Sequence, residues 1–247
     1  MSLHFLVVGA QRCGTTWLHD QLAAHPQVAM ARPYRPEPKV FLDPAPPDLR
    51  TYRERYFSHA DGELALGEKS TSYLETPEVP DRVASRLGTP RIVVQLRDPV
   101  ERAVSNYRFS RAHGVEHRPL DEALRCDLTA PRDWDRSKTS VSPFAYVSRG
   151  RYAVELARWM DRFEVHVQFL EDVRAEPDDI GALYRWLGVD GSFRNDTASE
   201  PVNASSPTDE HLDPHLLADL REYYDDSDTA LATLLGRPLP WPHRRST

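Results

Sequence analysis

Phe5-Leu6-Val7-Val8-Gly9-Ala10-Gln11-Arg12-Cys13-Gly14-Thr15-Thr16 is the stretch that decides the fold. Phe5 to Val8 is a short apolar run of a buried strand's length, and Trp17, Leu18 and Leu22 fit one face of a helix that follows. Between them lies a turn with glycines at 9 and 14 and a closing hydroxyl. This is the pattern of the phosphate loop G-x-x-x-x-G-K-[ST], except that Thr15 stands where the lysine belongs. A glycine-bounded turn from strand to helix aims backbone N–H groups and the positive end of the helix dipole at an anion. The turn therefore suits phosphate. The absent lysine, which would reach a β- or γ-phosphate, argues against ATP or GTP, and Arg12 offers a cation from a different position.

A second anion signal follows Ile92-Val93-Val94-Gln95-Leu96, the next clear buried strand. Asp98 can cap a helix and Pro99 fits its first position. Val100, Ala103, Val104 and Tyr107 then fall on one apolar face. Arg97 thus lies at the carboxyl end of a strand, where open α/β sheets bind ligands, with Ser105 about two turns along the helix. An ATPase would place a Mg²⁺-holding carboxylate at this strand end, and an arginine comes first here. Asp98 can still be proposed as that acid, but its capping role explains it more simply. Two anion sites with no metal site between them point to a nucleotide carrying separate phosphate groups.

With these residues in view, the chain resembles the sulfotransferases that use 3′-phosphoadenosine 5′-phosphosulfate (PAPS), in particular the heparan and bacterial branch. Gly9 to Leu18 is similar to that family's 5′-phosphosulfate loop, which implies cofactor contacts from Gln11, Arg12, Cys13, Gly14, Thr15, Thr16 and Trp17. Arg97 through Ser105 resembles its 3′-phosphate signature, where an arginine and a serine eight positions later hold the phosphate. Gly67-Glu68-Lys69-Ser70 with Tyr73-Leu74 is similar to the Gly-Glu-Lys-Ser/Thr-x-x-Tyr segment. Arg149-Gly150-Arg151-Tyr152 running to Trp159, then Phe169-Leu170-Glu171-Asp172, also resemble the branch. The likeness runs from about residue 4 to Trp241.

The resemblance implies the catalytic set. Glu37, in Glu37-Pro38-Lys39-Val40-Phe41, matches the glutamate of a Lys-Glu-Pro-His-Phe-Phe segment that deprotonates the acceptor. Pro36 replaces that segment's lysine and Lys39 stands at its histidine. Arg12 serves the bridging and 5′-phosphate oxygens. It can hydrogen-bond there but does not donate a proton easily, unlike the lysine many family members carry. Lys69 is the second cation. No metal is required, because arginine, lysine and backbone N–H groups supply the electrostatic work. His113 and His117 are the alternative bases, and His25, in Ala24-His25-Pro26, is expected to be structural. The family's late Lys-Gly-Arg loop is absent, and Glu200 to Ser206 resembles bacterial members instead.

The chain has 247 residues, enough for one α/β domain over 1–247, expected as a three-layer sandwich with a central parallel sheet flanked by helices. Val165 to Leu170 is a third strand. Tyr152, Leu156, Trp159, Met160 and Phe163 form a helical core stripe, and Ile180, Leu183, Tyr184 and Leu187 form another, stopped at Gly188. Leu216, Leu217, Leu220 and Tyr224 mark a later helix, and Leu231, Leu234 and Leu235 precede Gly236. Residues 31–50 are rich in proline. Residues 111–148 are too long for an ordinary connection and are expected to cover the active site as an acceptor-binding excursion. Lys39, Trp134, Phe144, Tyr146 and Tyr152 are the candidate acceptor contacts.

No run of about eighteen apolar residues offers a membrane span. Cys13 and Cys126 make no disulfide scaffold, which fits a reducing cytoplasm. The net charge of −7 weighs against nucleic acid or a broad polyanion as partner. Lysine appears only at 39, 69 and 138 among 31 basic residues, a bias expected of a GC-rich bacterium. The function expected is sulfuryl transfer to a hydroxyl, less readily an amine, of a small molecule such as a secondary metabolite, lipid or sugar. A small-metabolite P-loop kinase and a non-catalytic nucleotide-binding protein are the competing possibilities.

Overall fold

The computed structural model describes residues 2–130, 132–135, 137–176, 180–195 and 212–242. They divide into two compact units, Met1–Leu96 with Arg158–Asn203, and Arg97–Ala157 with Ala204–Thr247.

The first unit is built on a five-stranded parallel sheet of order β2-β3-β1-β4-β5. Its strands are β1 (Leu3–Gly9), β2 (Val28–Met30), β3 (Ala65–Lys69), β4 (Arg91–Leu96) and β5 (Val165–Phe169). Continuous apolar runs suit β1 and β4, because a parallel strand in the middle of such a sheet is covered on both faces. Helices α1 (Thr15–Ala24) and α8 (Ile180–Trp186) bury Leu18, Leu22, Ile180, Leu183 and Tyr184 with Phe5, Val7 and Val93 of the sheet. Trp17 packs at the margin of that cluster. Helices α2 (Leu49–Tyr56), α3 (Val79–Leu87) and α7 (Leu170–Ala175) also belong to this unit. This is the flanked parallel sheet expected from the sequence. β3 and β4 pair with β1 on opposite sides, so the chain diverges at the carboxyl end of β1, the crevice where open sheets bind ligands.

β3 escapes a sequence search because Ala65-Leu66-Gly67-Glu68-Lys69 carries a glycine and two charges. Gly67 is required by contact: a Cβ there would stand 2.1 Å from the ring of Phe5, its register partner on β1. Strand β2 is only three residues long and lacks any alternation to detect.

The second unit packs α4 (Pro99–Ala112), α5 (Leu120–Thr129) and α9 (Pro214–Leu235) around an aromatic cluster. Asp98 caps α4, accepting from the N–H of Val100 (2.9 Å) and Glu101 (3.5 Å). Arg221 grips the same carboxylate through two bonds of 2.9 and 2.6 Å. The two leucine-rich segments expected near the C-terminus form one helix, α9, capped by Asp213 and stopped by Gly236 at φ 62°. The stripe from Tyr152 to Trp159 lies on α6 (Tyr152–Met160), with Tyr152, Leu156 and Trp159 fully buried.

Two aromatics of the 111–148 excursion pack inward: Phe144 and Tyr146 are both buried in the second cluster, with Tyr107, Leu124, Leu216 and Tyr224. Their aromatic area is taken up by core packing. Trp134 rests against the edge of the same cluster and donates to the carbonyl of Thr139 at 3.3 Å. No described helix is long and apolar enough to cross a membrane.

Glu116 ties the excursion together. It accepts from Arg118 (3.0 and 2.6 Å), from the Tyr146 hydroxyl (3.0 Å) and from the N–H of His117 (2.9 Å). Burial works to raise its carboxyl, but these donors outweigh it and hold the pKa down to about 2. A depressed carboxylate stabilises the fold above its unfolded pKa, and that contribution is lost as pH falls through the folded value. Acid titration from pH 5 to pH 2, followed by urea unfolding, should therefore cost wild type on the order of 2–3 kcal/mol more than Glu116→Gln. Parallel loss in both proteins would remove Glu116 from the acid limb.

Candidate active site

The loop after β1 is fixed by one buried amide. Gln95 of β4 accepts the Ala10 N–H at its backbone carbonyl (2.8 Å), and its side chain donates to the Cys13 carbonyl (2.5 Å). Its orientation is set in turn by Gln168 of β5, which donates to Gln95 Oε1 at 2.6 Å. Gln11 reaches out of the loop to Glu75 Oε1 at 3.0 Å. Cys13 is fully buried beneath the loop, which fits a packing role.

Gly14 begins α1 at φ 79°, a conformation that favours glycine, and a Cβ would meet Leu170 at 2.7 Å and Gln95 at 2.9 Å. No side chain caps the first turn of α1 and no acidic residue stands in it. The first-turn N–H groups therefore retain the positive end of the helix for an anion. Arg12 is half-buried at φ 67°, Thr15 is buried, and Thr16 is partly exposed beside it.

The residues expected to form the base come together at the same sheet end. Lys69, in register with Val7 of β1, donates to Glu37 Oε1 at 2.6 Å. Thr71 adds its backbone N–H to Glu37 Oε2 at 3.0 Å and its hydroxyl at 3.1 Å. The turn after β3 is tied to β1 through Ser70 N–H to the Val7 carbonyl (3.1 Å) and Leu74 N–H to the Val8 carbonyl (3.0 Å). Lys39 begins the 3₁₀ turn Val40–Leu42 at φ 51°, two residues beyond the carboxylate. Nearby, His19 of α1 stacks on Tyr34 at 4.4 Å between ring centroids. Burial lowers its pKa, opposed by its hydrogen bond to Asp20 and assisted by the charge of Lys69.

The second unit holds the other expected anion residues. Arg97 follows β4 and donates to Glu101 Oε2 at 3.1 Å, while its Nε is buried without a hydrogen-bond partner. Tyr152 donates its hydroxyl to the Arg97 carbonyl at 2.8 Å, so its polar end serves the arginine's backbone. Ser105 lies buried on α4. Of the histidines, His25 is structural, bridging the Asp190 carbonyl (3.0 Å) and the Gln27 N–H (3.1 Å). His113 caps α4 in an exposed position, its ring nitrogen 2.8 Å from the Phe109 carbonyl. His117 is exposed too.

A family model described as the sulfotransferase domain matches residues 3–206. The chain belongs to the sulfotransferase family. Human heparan sulfate glucosamine 3-O-sulfotransferase 3B1 is 26% identical over 260 residues, which cover 96% of this chain and 64% of the relative. The chain thus spans slightly under two thirds of that relative's length. Human bifunctional heparan sulfate N-deacetylase/N-sulfotransferase 2 is 35% identical over 198 residues, covering 75% of this chain and 22% of the relative. Among solved structures, a sulfotransferase from Alicyclobacillus acidocaldarius superposes with a TM-score of 0.79 at 25% identity, covering 97% of this chain and 98% of that one. The sulfotransferase fold is thereby established for this chain.

Sequence reasoning missed Gln95 and Thr71 as parts of the candidate site. Gln95 stands in an apolar strand, and a polar residue at a buried strand position was the available signal. Thr71 sits immediately after the quoted Gly67–Ser70 motif and has no signature of its own. The loop geometry itself is testable. Gly14→Ala should destabilise the fold by about 1–3 kcal/mol in urea unfolding, since it adds both strain at positive φ and overlap with Leu170. A neutral outcome would mean that the loop tolerates another backbone path.

Proposed function

We propose that this sulfotransferase domain moves a sulfuryl group from PAPS to a hydroxyl of a small acceptor, with Glu37 as the general base. The observation that carries this is the Glu37–Lys69 contact of 2.6 Å at the carboxyl end of the parallel sheet, where the phosphate loop begins. PAPS supplies a sulfuryl group whose transfer forms a bond to the acceptor oxygen and breaks the S–O bond to the 5′-phosphate, leaving 3′-phosphoadenosine 5′-phosphate (PAP).

The residues present fit such a donor. The uncapped start of α1 and the glycine cradle at Gly14 suit the 5′ end, with Gln11, Arg12, Cys13, Thr15, Thr16 and Trp17 around it. The buried, unpartnered Nε of Arg97 suits a further anionic oxygen, and we assign Arg97 with Ser105 to the 3′-phosphate. Glu37 takes the acceptor's proton. Lys69 and Thr71 hold that carboxylate in one orientation, and the three donors of an ammonium allow Lys69 to face an anionic oxygen as well. Arg12 stabilises charge on the departing oxygen without giving up a proton.

The acceptor we favour is a metabolite, lipid or sugar hydroxyl, with an amine second. The relatives named for heparan sulfate support a sugar, while the net charge of −7 weighs against a long polyanion. Lys39 is the acceptor contact supported by position, two residues from Glu37. Glu200 to Ser206, the segment expected in place of a late nucleotide loop, lies outside the described residues. A bacterial cytoplasmic setting in secondary metabolism belongs to the same proposal and rests on composition.

Two experiments test it. In a thermal-shift panel, PAP without metal should stabilise the protein more than AMP or ADP, through mass action on the native state. Arg97→Ala should weaken PAP binding by about 2 kcal/mol and Ser105→Ala by about 1, with little effect on AMP. A shift that requires both ATP and Mg²⁺ would instead support the kinase. For catalysis, labelled sulfate transfer from PAPS to p-nitrophenol, N-acetylglucosamine and a long-chain alcohol identifies a working acceptor. Glu37→Gln should then retain PAP affinity and lose roughly 10²–10⁴-fold in rate. Near wild-type turnover in that variant would dismiss Glu37 as the base, and tight PAP binding with no transfer to any acceptor would favour a binding protein.

A further inference from the structure

Glu68 is the fourth residue of β3, paired with Leu6 of β1, and no part of it reaches solvent. A carboxylate in such a place must be satisfied entirely by protein donors. Three hydroxyls converge on it. Tyr52 donates to Oε2 at 2.7 Å, while Ser70 and Tyr73 donate to Oε1 at 2.7 and 2.6 Å. Burial is the largest influence on its pKa and raises it; the three hydroxyls oppose this, and the nearby charge of Glu37 adds to it. Each of the three hydroxyls turns its proton toward a Glu68 oxygen, which suits the ionised, acceptor-only form of the carboxyl.

A hydroxyl whose proton is committed to a carboxylate turns only lone pairs elsewhere. The Ser70 hydroxyl accepts the N–H of Lys39 at 2.9 Å, and the Tyr73 hydroxyl accepts the N–H of Phe41 at 3.0 Å. Two backbone amides, two and four residues past Glu37, are thus suspended from one buried carboxylate through one hydroxyl each. Tyr52 closes the other oxygen and packs its ring on Phe41, with centroids 5.6 Å apart. The neighbouring strand residue Lys69 meanwhile grips Glu37 by its side chain. Consecutive residues of β3 therefore hold the same loop by its backbone and by its carboxylate.

We infer that Glu68 is a positioning residue for the general base: acting through Ser70 and Tyr73, it fixes the backbone of the loop that presents Glu37. This rests on Glu37 being the base. Glu68 itself touches no reacting atom. Its charge sets the direction of both hydroxyls, and without it they are released to rotate and the loop loses two amide acceptors.

The test begins on the unliganded protein with amide hydrogen exchange by NMR. Ser70→Ala should accelerate exchange at the Lys39 amide and Tyr73→Phe at the Phe41 amide, each by about tenfold. Glu68→Leu should accelerate both, and Glu68→Gln, which keeps one accepting oxygen, should fall between it and wild type. Amides of β1 and β4 should keep their rates. Because Ser70→Ala and Tyr73→Phe leave the buried charge in place, they remain informative even where Glu68→Leu fails to fold.

With the best acceptor of the panel, Tyr73→Phe should lower kcat by about tenfold while KM for PAPS stays within about twofold. Adding it to Glu37→Gln should cost nothing further, because a residue that acts through Glu37 has no effect once the base is gone. Multiplying losses in the double variant would overturn the positioning role, as would unchanged exchange at Lys39 and Phe41. Full turnover by Glu37→Gln would overturn the base assignment and the catalytic consequence with it, but not the tether that exchange detects.

Discussion

Three strand ends meet at the side chain of Gln95. Its amide must choose orientation, and Gln168 makes the choice by donating to its oxygen, which leaves the nitrogen to take the Cys13 carbonyl. With the backbone bond from Ala10, both flanks of the loop after β1 are set by one residue of β4. A fully buried amide is costly unless it is satisfied. Meeting that demand is what gives the loop its shape. The left-handed start of α1 at Gly14, pressed between Gln95 and Leu170, follows from it.

The polar residues of the site obey the same constraint two strands over. β3 carries Glu68 and Lys69 in succession, both buried, and each is tolerated because it has specific partners. The partners are what shape the surroundings. Residues 31–50 are rich in proline and short of regular structure, yet the segment from Lys39 to Phe41 is anchored by hydrogen bonds to Ser70 and Tyr73. Irregular backbone can be held this firmly when the acceptors it needs are themselves locked.

Much of this was legible in the sequence where physics is local. The loop, its flanking strand and helix, the Asp98–Pro99 helix start and the stop at Gly188 all follow from neighbouring residues. The three apolar strands were read within a residue or two, whereas β2 and β3 were not. β3 has a glycine demanded by a ring on another strand and charges satisfied by side chains near and far in the chain, and neither leaves a periodic trace. Glu37 was found by resemblance, but its ties to Lys69 and Thr71 span more than thirty positions. The packing of two aromatics escaped for the opposite reason. Phe144 and Tyr146 sit in a polar stretch that looks like a surface loop, and only the three-dimensional packing shows that they complete a core.

The double use of Asp98 bears on how the second unit is made. Its carboxylate caps α4 and also receives Arg221, a partner 123 positions later in the chain. At roughly 5–20 residues per second, a ribosome needs on the order of ten seconds to deliver that arginine after Asp98 has emerged. Helix α4 must therefore begin its life with a half-used cap and an unfilled apolar face, since Leu216, Leu220 and Tyr224 arrive on the same late helix. Completion of the unit waits until α9 has been made, and a chain truncated before α9 would leave that face open to chaperones and proteases.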